Sequence, residues 1–155
     1  MAILYPPTSF SFIVNGISTL EGIDSRFQSV SGLSTEIETE EYVEGGENRF
    51  VHQLPKRAKY PSLILNRGLI VNSGLIKWCR DGMENFEFET RDLTISLYGG
   101  ATSTAPLMVW NIVGAYPVKW SVSDFNAEES KLAIETMELK YKYFTIPTNN
   151  LNSLL

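Results

Sequence analysis

The stretch Thr35–Pro61 constrains the fold more than any other part of the sequence. Its first residues alternate in the manner of a strand, so that successive side chains point to opposite faces. The two faces would carry Glu36, Glu38 and Glu40 on one side and Ile37, Thr39 and Glu41 on the other. Gly45 and Gly46 follow, and glycine readily adopts the positive φ that a tight reversal needs. The sequence therefore predicts a strand that turns back at this pair of glycines.

A return strand is predicted through Phe50 and Leu54, and Pro55 is expected to end it because proline cannot donate a ladder hydrogen bond. The resulting hairpin, residues 36–61, has an acidic first strand, a basic exit and few large apolar side chains for its length. A two-stranded ribbon of this kind is not stable alone in water. We therefore expect it to lie against another copy of the same chain, while the rest of the sequence forms a compact barrel.

The side chains of this hairpin are the candidate contacts between subunits. One interpretation pairs the acidic row with basic residues of a neighbouring copy, and the alternative is a plain solvated surface. The candidate interface residues are Glu36, Glu38, Glu40, Glu41, Tyr42, Glu44, Gly45, Gly46, Asn48, Phe50, Leu54, Pro55, Lys56, Arg57 and Lys59.

The bulk composition is that of one soluble domain, residues 1–155. A chain of 155 residues can bury about 70% of its unfolded surface. A hydrophobic content of 43% and a charged content of 20% are typical of globular proteins. The net charge of −5 argues against a general nucleic-acid-binding protein, which normally has a basic face. The single cysteine, Cys79, excludes an intrachain disulfide, so the chain needs no oxidising compartment.

The N-terminal segment does not resemble a signal peptide. Residues 1–8 are predicted to be an extended arm, because Pro6 and Pro7 disfavour a helix there. They lack the basic start of a signal peptide, and no apolar run approaches the roughly 20 residues of a membrane span. We therefore expect synthesis in a cytoplasm, no membrane insertion by the subunit, and a loose or docked tail at residues 147–155.

One helix is predicted, beginning at an Asn72-Ser73 cap. Its apolar and charged residues fall on opposite faces, as in a helix that covers a core. Gly82 in its interior indicates that the helix is short. The apolar stripe is Leu75, Trp78, Cys79 and Met83, and the charged face is Lys77, Arg80, Asp81 and Glu84.

Most of the remaining sequence predicts short alternating strands separated by turn residues. Asn15-Gly16 indicates a tight turn, and Gly114 and Pro117 predict a bulge or corner. A polar loop is expected at 124–130. The predicted strands cover residues 10–14, 17–23, 26–30, 63–65 (with a break at 66–68), 93–97, 108–112 and 118–122. The predicted fold class is mainly β, an antiparallel β-barrel or two-sheet sandwich with one flanking α-helix and a long protruding hairpin.

The segment Lys131–Ile146 allows two interpretations. Its content of Lys, Glu, Leu, Met and Ala favours a helix. The alternation of Met137, Leu139 and Tyr141 favours a long strand, with Glu135 as the exception. The pattern leans towards the strand without deciding the matter.

Residues typical of catalysis or metal binding are few. His52 is the sole histidine and lies in the predicted hairpin, so a surface or interface position is expected. Cys79 lies on the apolar stripe, where it would be a small buried hydrophobe. Same-face glutamates on a strand are about 6.5–7 Å apart, too far to share a metal ion. We expect no catalytic site, metal or cofactor, and we expect the core rather than a sugar-binding platform to hold Trp78, Trp110 and Trp120.

Several phrases of the sequence, taken in order, carry a family resemblance. They are Val30–Asn48 (VSGLSTEIETEEYVEGGEN), Leu54-Pro55, Leu65–Leu69 (LNRGL), Leu75–Trp78 (LIKW), Arg91–Leu97 (RDLTISL), Ala115–Trp120 (AYPVKW) and Lys131–Tyr141 (KLAIETMELKY). The set resembles the tail tube proteins of contractile-tailed phages and of extracellular contractile injection systems. It is more distantly similar to the haemolysin-coregulated tube protein of type VI secretion. The likeness covers about Phe10–Ile146, nearly the whole chain.

The resemblance implies a subunit of two antiparallel sheets with one flanking helix, which supports the strand interpretation of Lys131–Ile146. It also implies rings of six subunits that stack into a hollow inner tube, with the long hairpin, about Glu41–Lys59, reaching neighbouring subunits. The implied partners are the chain itself, sheath, baseplate or hub and terminator proteins, and DNA or protein cargo that passes without tight binding. The implied location is a phage tail, virion or released injection particle.

Two alternatives remain open. The first is a baseplate or hub ring that initiates the tube in the same machine. The second is a small β-barrel ligand-binding protein, which would need a cavity with convergent polar groups.

Overall fold

The computed structural model describes residues 10–17, 26–70, 73–100, 104–123 and 133–147. These ranges hold ten strands and one helix. The predictions for residues 1–8, most of 17–23, 124–130 and 148–155 lie outside the described residues. The elements are β1 (Phe10–Asn15), β2 (Arg26–Phe27), β3 (Ser29–Ser31), β4 (Glu36–Tyr42), β5 (His52–Lys59), β6 (Leu63–Gly68), α1 (Gly74–Asn85), β7 (Arg91–Gly99), β8 (Met108–Val122), β9 (Ile134–Lys140) and β10 (Tyr143–Thr145).

Eight strands form one antiparallel sheet in the order β2-β1-β7-β8-β9-β6-β3, with β10 paired to β8. Strand β8 is 15 residues long and belongs to both halves of this sheet. Its first half pairs with β7 and β10, and its second half pairs with β9. The mainly β class with one helix is therefore confirmed.

Strand β8 bends twice without ending. At Gly114 the backbone φ is 68° and the register against β7 shifts. The Lys142 side chain packs there, so an added Cβ on Gly114 would lie 3.2 Å from its Cδ. A second register shift, against β9, follows at Pro117. The predicted corner residues are confirmed, but the two strands predicted at 108–112 and 118–122 are one, because a bulge bends a strand and lets pairing continue.

The segment Arg26–Ser31 bridges the two ends of the sheet. Its first two residues pair with β1, and its last three pair with β6. Between them the backbone N–H of Gln28 donates to the carbonyl of Asn66 at 2.8 Å. Since β1 and β6 lie near opposite ends of the strand order, the sheet curls round and encloses its apolar face.

The core lies on this enclosed face. Strand alternation places leucine, isoleucine and valine side chains inward and leaves Ser, Thr and Asn on the outer face. Trp78 and Trp110 are buried and Trp120 packs against the core, as predicted. The buried cluster is Val14, Ile17, Phe27, Leu63, Leu65, Leu75, Trp78, Cys79, Leu93, Ile95, Trp110, Ile112, Ala115, Met137 and Leu139.

Helix α1 begins at the predicted cap and covers β8. The Ser73 hydroxyl accepts from the backbone N–H of Ile76 at 3.3 Å, which satisfies one unpaired helix donor. The prediction that Met83 faces the core is wrong, since Met83 is exposed and Gly82 is buried. An added Cβ on Gly82 would lie 3.3 Å from the Phe88 ring, so the close approach of the helix selects the small residue.

The structure differs from three further predictions about strands. Pro55 lies within β5 rather than at its end, because β5 has one neighbour and a missing N–H costs nothing at an open edge. Asn66-Arg67-Gly68 continues β6 rather than breaking it. The segment Lys131–Ile146 is strand in its described part, but it forms two strands, β9 and β10, separated by Tyr141-Lys142.

Candidate functional site

The β4–β5 hairpin stands apart from the main sheet. Its two strands form a separate two-stranded sheet with no ladder to any other strand among the described residues. Every residue of β4 is exposed, and in β5 only His52 is partly covered. A lone two-stranded ribbon is marginally stable at best in water. The predicted hairpin and its turn at Gly45-Gly46 are confirmed, with Gly46 at a φ of 96°.

The ribbon contains a β-bulge beside its proline. Glu36 pairs with Lys59, and Thr39 pairs with Pro55, but the register shifts between them. Two residues of β5, Lys56 and Arg57, therefore oppose a single residue of β4. Such an extra residue increases the local twist and interrupts the ladder. The bulge thus lies at two basic residues in the middle of an otherwise regular ribbon.

Most of the charged side chains on the hairpin pair with each other. Lys59 contacts Glu38, and the Lys56 ammonium lies 3.8 Å from a Glu40 carboxylate oxygen. The hydrogen bond to Glu38, followed by its negative charge, raises the pKa of Lys59. These pairs are largely exposed, so each contributes little to stability. Arg57 makes no ion pair with any described residue.

The hairpin also exposes a set of apolar side chains. Val43 is 70% exposed and Leu54 is 50% exposed. At the tip the rings of Phe50 and Tyr42 flank His52 at 4.9 and 6.3 Å between centroids, and a Glu44 oxygen lies 3.1 Å from its Nε2. The exposed apolar residues of the hairpin are Ile37, Tyr42, Val43, Phe50, Val51 and Leu54. Among the described residues, these apolar side chains are thus exposed and the ribbon pairs with no other strand.

The base of the hairpin is held by an aromatic cluster that the sequence did not indicate. The Tyr60 ring lies 5.9 Å from that of Tyr141 and 5.2 Å from that of Phe144. The Tyr141 hydroxyl donates to the Gly32 carbonyl at 3.5 Å, and burial raises the pKa of Tyr141 to about 12. Gly32 has a φ of 91°, and a Cβ there would collide with the Ser62 carbonyl. The two chain segments that enter and leave the hairpin are thus fixed side by side.

The interior of the subunit contains a buried ion pair that the sequence analysis did not predict. Arg67 Nε donates to a Glu135 oxygen at 2.9 Å, and both side chains are almost fully buried. Trp120 Nε1 donates to the other oxygen at 2.7 Å, and Arg67 also donates to Ser73 at 2.8 Å. The guanidinium lies 5.3 Å from the Phe27 ring centroid. The signal in the sequence was Glu135 itself, the exception in an apolar alternation.

The residues weighed for chemistry have structural surroundings. Cys79 Sγ lies 3.2 Å from Met137 Sδ, and burial raises the pKa of the thiol to about 12. A thiol held neutral is a poor nucleophile. Within the described ranges no three His, Cys, Asp or Glu side chains could hold a metal ion together.

An open groove of about 560 Å³ runs between α1 and the start of β7, lined by charged residues that include Lys77, Asp81 and Arg91. Arg91 lies 5.0 Å from the Trp78 ring and pairs with Glu89 at 3.1 Å. Some of the charged side chains that line the groove are thus already paired. The lining mixes positive and negative groups and does not direct a set of polar groups at one point. None of the helical segments in the described ranges has the length and hydropathy of a membrane span.

The separate ribbon, the curled sheet and the flanking helix agree with one known family. The sequence model of the T4-like virus tail tube protein gp19 matches residues 8–145. The chain belongs to this tail tube family. No curated protein sequence matches it significantly.

Solved structures extend the likeness of this tail tube protein to contractile injection systems. A chain of the anti-feeding prophage baseplate is 26% identical, with a TM-score of 0.79, and the match covers 97% of this chain and 100% of that one. A chain of the extended sheath–tube complex of an extracellular contractile injection system, PVC, is 26% identical, with a TM-score of 0.73 and coverage of 94% and 93%. Hcp1 from Flavobacterium johnsoniae is 14% identical, with a TM-score of 0.50 and coverage of 89% and 94%, and shares the fold.

The tail tube protein is thus a structural component of a phage tail or injection system. The sequence-based resemblance is confirmed. The fifteen hairpin residues predicted to form the subunit interface stay a prediction, but the structure places them on one exposed ribbon.

Proposed function

We propose that this tail tube protein closes into rings of six that stack into the hollow inner tube of a contractile injection machine. The tube is rigid and offers a passage to DNA or protein cargo. Sheath, baseplate or hub, and terminator proteins are its partners in this proposal. The subunit has no catalytic role and needs no cofactor.

One observation carries the proposal, namely the unsupported β4–β5 ribbon. It presents exposed strand edges, exposed apolar residues and a fixed base, yet it forms no ladder with any other strand in the part of the chain that the structure describes. Such edges are usually blunted or covered, and pairing with another chain is the simplest cover. A ribbon that projects from each copy onto the next makes a heterologous contact, which closes into rings by rotation or continues as a filament.

The charge of the chain fits a passage that does not hold its cargo. Six copies of a −5 subunit carry −30 formal charges. A lumen that shares this charge repels nucleic acid phosphates and acidic polypeptides. Cargo can then move through the tube without tight binding.

The direct test is negative-stain electron microscopy of the purified protein over a concentration series. We expect six-fold rings with a central hole that stack into tubes as concentration rises. Monomers without features at every concentration would refute the proposal and return attention to a ligand-binding barrel.

A second candidate function is the ring that starts the tube. The observation in its favour is the similarity, at a TM-score of 0.79, to a chain of the anti-feeding prophage baseplate. The same micrographs separate the two functions. A tube subunit stacks without limit, whereas an initiating ring stays single or forms a short stack at all concentrations.

A further inference from the structure

The end of α1 and the residues after it form an exposed segment, Met83–Glu89, in which acidic and apolar side chains are interspersed. We name it the acidic-aromatic segment. Phe86 is 83% exposed and Phe88 is 47% exposed. The segment holds three glutamates and no basic residue. Its surface is therefore both apolar and negative.

Backbone hydrogen bonds fix the conformation of this segment, although the Phe86 ring faces solvent. Phe86 ends the helix in the left-handed region, with φ 56° and ψ 31°, and its backbone N–H donates to the Asp81 carbonyl. Glu87 N–H donates to the same carbonyl at 2.9 Å, and Trp78 Nε1 donates to the Glu89 carbonyl at 2.8 Å. A left-handed non-glycine residue costs roughly 1 kcal/mol or more. The subunit thus holds an exposed phenylalanine in an unfavourable conformation with little burial in return.

The charges on the segment are unevenly paired. Glu84 pairs with Arg80 at 3.2 Å, and Glu89 pairs with Arg91 at 3.1 Å. The Glu87 carboxylate, between the two phenylalanines, makes no ion pair with any described residue. The centre of the surface therefore carries one free negative charge beside apolar rings.

Strand β5 has the complementary chemistry. It carries Lys56, Arg57 and Lys59 and no acidic residue. Lys56 and Lys59 have exposed partners on β4, whereas Arg57, at the bulge, has none among the described residues. Leu54 lies three residues before Arg57 on the same strand and is half exposed. Strand β5 thus carries both a positive charge without an ion pair and an exposed leucine.

We propose that β5 of one copy docks on the acidic-aromatic segment of a second copy, with Arg57 pairing with Glu87 and Leu54 packing on the Phe86 and Phe88 rings. The occupant is a second copy because opposite charges and matching apolar surface occur on two separate faces of the same chain. Each copy then offers a donor face and an acceptor face, as a heterologous contact requires. This inference rests on the proposed self-assembly and names the surface that receives the hairpin.

Charge reversal tests the pairing. We expect Arg57→Glu and Glu87→Arg each to raise the concentration for half-maximal assembly by about fivefold or more, since an attractive contact becomes a repulsive one. The double variant should return it towards the wild-type value. The control is Lys77→Glu, which reverses the charge of an exposed residue and changes the net charge as much as Arg57→Glu does. This variant should assemble normally. Circular dichroism would verify that each variant is folded.

Cross-linking tests the proximity in full-length assembled protein. Differently tagged Arg57→Cys and Glu87→Cys chains, mixed and treated with a short bismaleimide, should form a covalent heterodimer that neither variant forms alone. The wild-type chain is the control, because its sole cysteine is buried.

The outcomes separate this inference from the proposed function. If wild-type tubes form but the double reversal restores nothing and no heterodimer appears, the docking surface is wrong and the tube proposal stands. If the wild-type chain never assembles, both proposals fail.

Discussion

Among single residues, Arg67 and Glu135 determine how the interior of the subunit is organised. The pair joins β6 to β9, and its hydrogen bonds extend to Ser73 at the start of α1 and to Trp120 on β8. Every polar atom of such a network must be satisfied, because an unpaired buried charge is far more costly than a buried apolar group. The network therefore ties the two sheet halves and the helix to one geometry.

A substitution at Glu135 should show how far the stability of the fold depends on this ion pair. We expect Glu135→Gln to lower the free energy of unfolding by about 3–5 kcal/mol, because it removes the charge of the buried carboxylate that pairs with the Arg67 guanidinium. Urea denaturation followed by tryptophan fluorescence measures the change. The double variant Arg67→Met with Glu135→Gln is the matched control and should be more stable than Glu135→Gln alone. A loss below 1 kcal/mol would show that water or another group replaces the carboxylate.

The raised pKa of the Cys79 thiol predicts the direction in which the unfolding free energy changes with pH. Burial, followed by the charge of Glu135, raises its pKa from 9.0 to about 12 in the folded state. Because the unfolded thiol loses its proton first, its contribution to stability is complete below pH 9 and is lost as pH rises from 9 towards 12. Unfolding free energies across this range should fall less steeply for Cys79→Ala than for the wild type.

The same burial should block chemical labelling. At pH 8 a thiol reagent should leave the native protein unmodified over a period in which the urea-unfolded chain reacts completely. Fast labelling of the native protein would contradict the buried position.

Among the secondary structure elements, the hairpin is an appendage whose removal leaves the core intact. All of β4 and almost all of β5 are exposed, and among the described strands these two pair only with each other. The Tyr60, Tyr141 and Phe144 cluster fixes only its base. The hairpin that we propose to contact a neighbouring copy is thus separate from the strands that enclose the core.

Deletion of Val43–Arg57 should therefore separate folding from assembly. We expect a monomer whose unfolding free energy changes by less than about 1 kcal/mol, because few buried contacts are lost. Analytical ultracentrifugation would show no rings or tubes at concentrations where the wild type assembles. Lys77→Glu, a change at an exposed residue outside the hairpin, is the control and should assemble normally. Tubes formed by the deletion variant would show that the hairpin is not the assembly element.

For the whole molecule, stability and assembly are linked by mass action. Binding of neighbouring copies to the folded state alone stabilises that state, and the effect grows with concentration. The isolated subunit leaves apolar side chains of its hairpin and of the acidic-aromatic segment in water. If neighbouring copies cover them in the proposed tube, the folded subunit gains stability that the monomer lacks.

The apparent melting temperature should consequently depend on concentration. We expect it to rise with wild-type concentration across the range where tubes form, and to stay constant for the chain lacking Val43–Arg57. Scanning calorimetry at several concentrations measures both. If the apparent melting temperatures of both chains depended on concentration in the same way, thermal stability would not depend on assembly through the hairpin.

Local pattern was enough to predict the elements whose physics is local. Alternating glutamates and two glycines predicted the β4–β5 hairpin, and Ser73 predicted the start of α1. These succeeded because side-chain period, turn geometry and helix capping act within a few residues. The sequence segments quoted for the resemblance, taken in order, were sufficient to identify the family, since the residues that match the family model extend over nearly the whole chain.

The tertiary structure decided whatever depends on a distant partner. Arg67 and Glu135 are 68 residues apart, so no local pattern could show that each neutralises the other in the core. Pro55 fits within β5 only because that strand has an open edge, and Met83 is exposed only because the sheet and Phe88 approach closely enough to require Gly82. The sequence by itself determined the hairpin, the helix and the family, because each is set by neighbours along the chain. The buried ion pair, the base of the hairpin and the exposed acidic-aromatic segment required the fold, because packing brings their parts together.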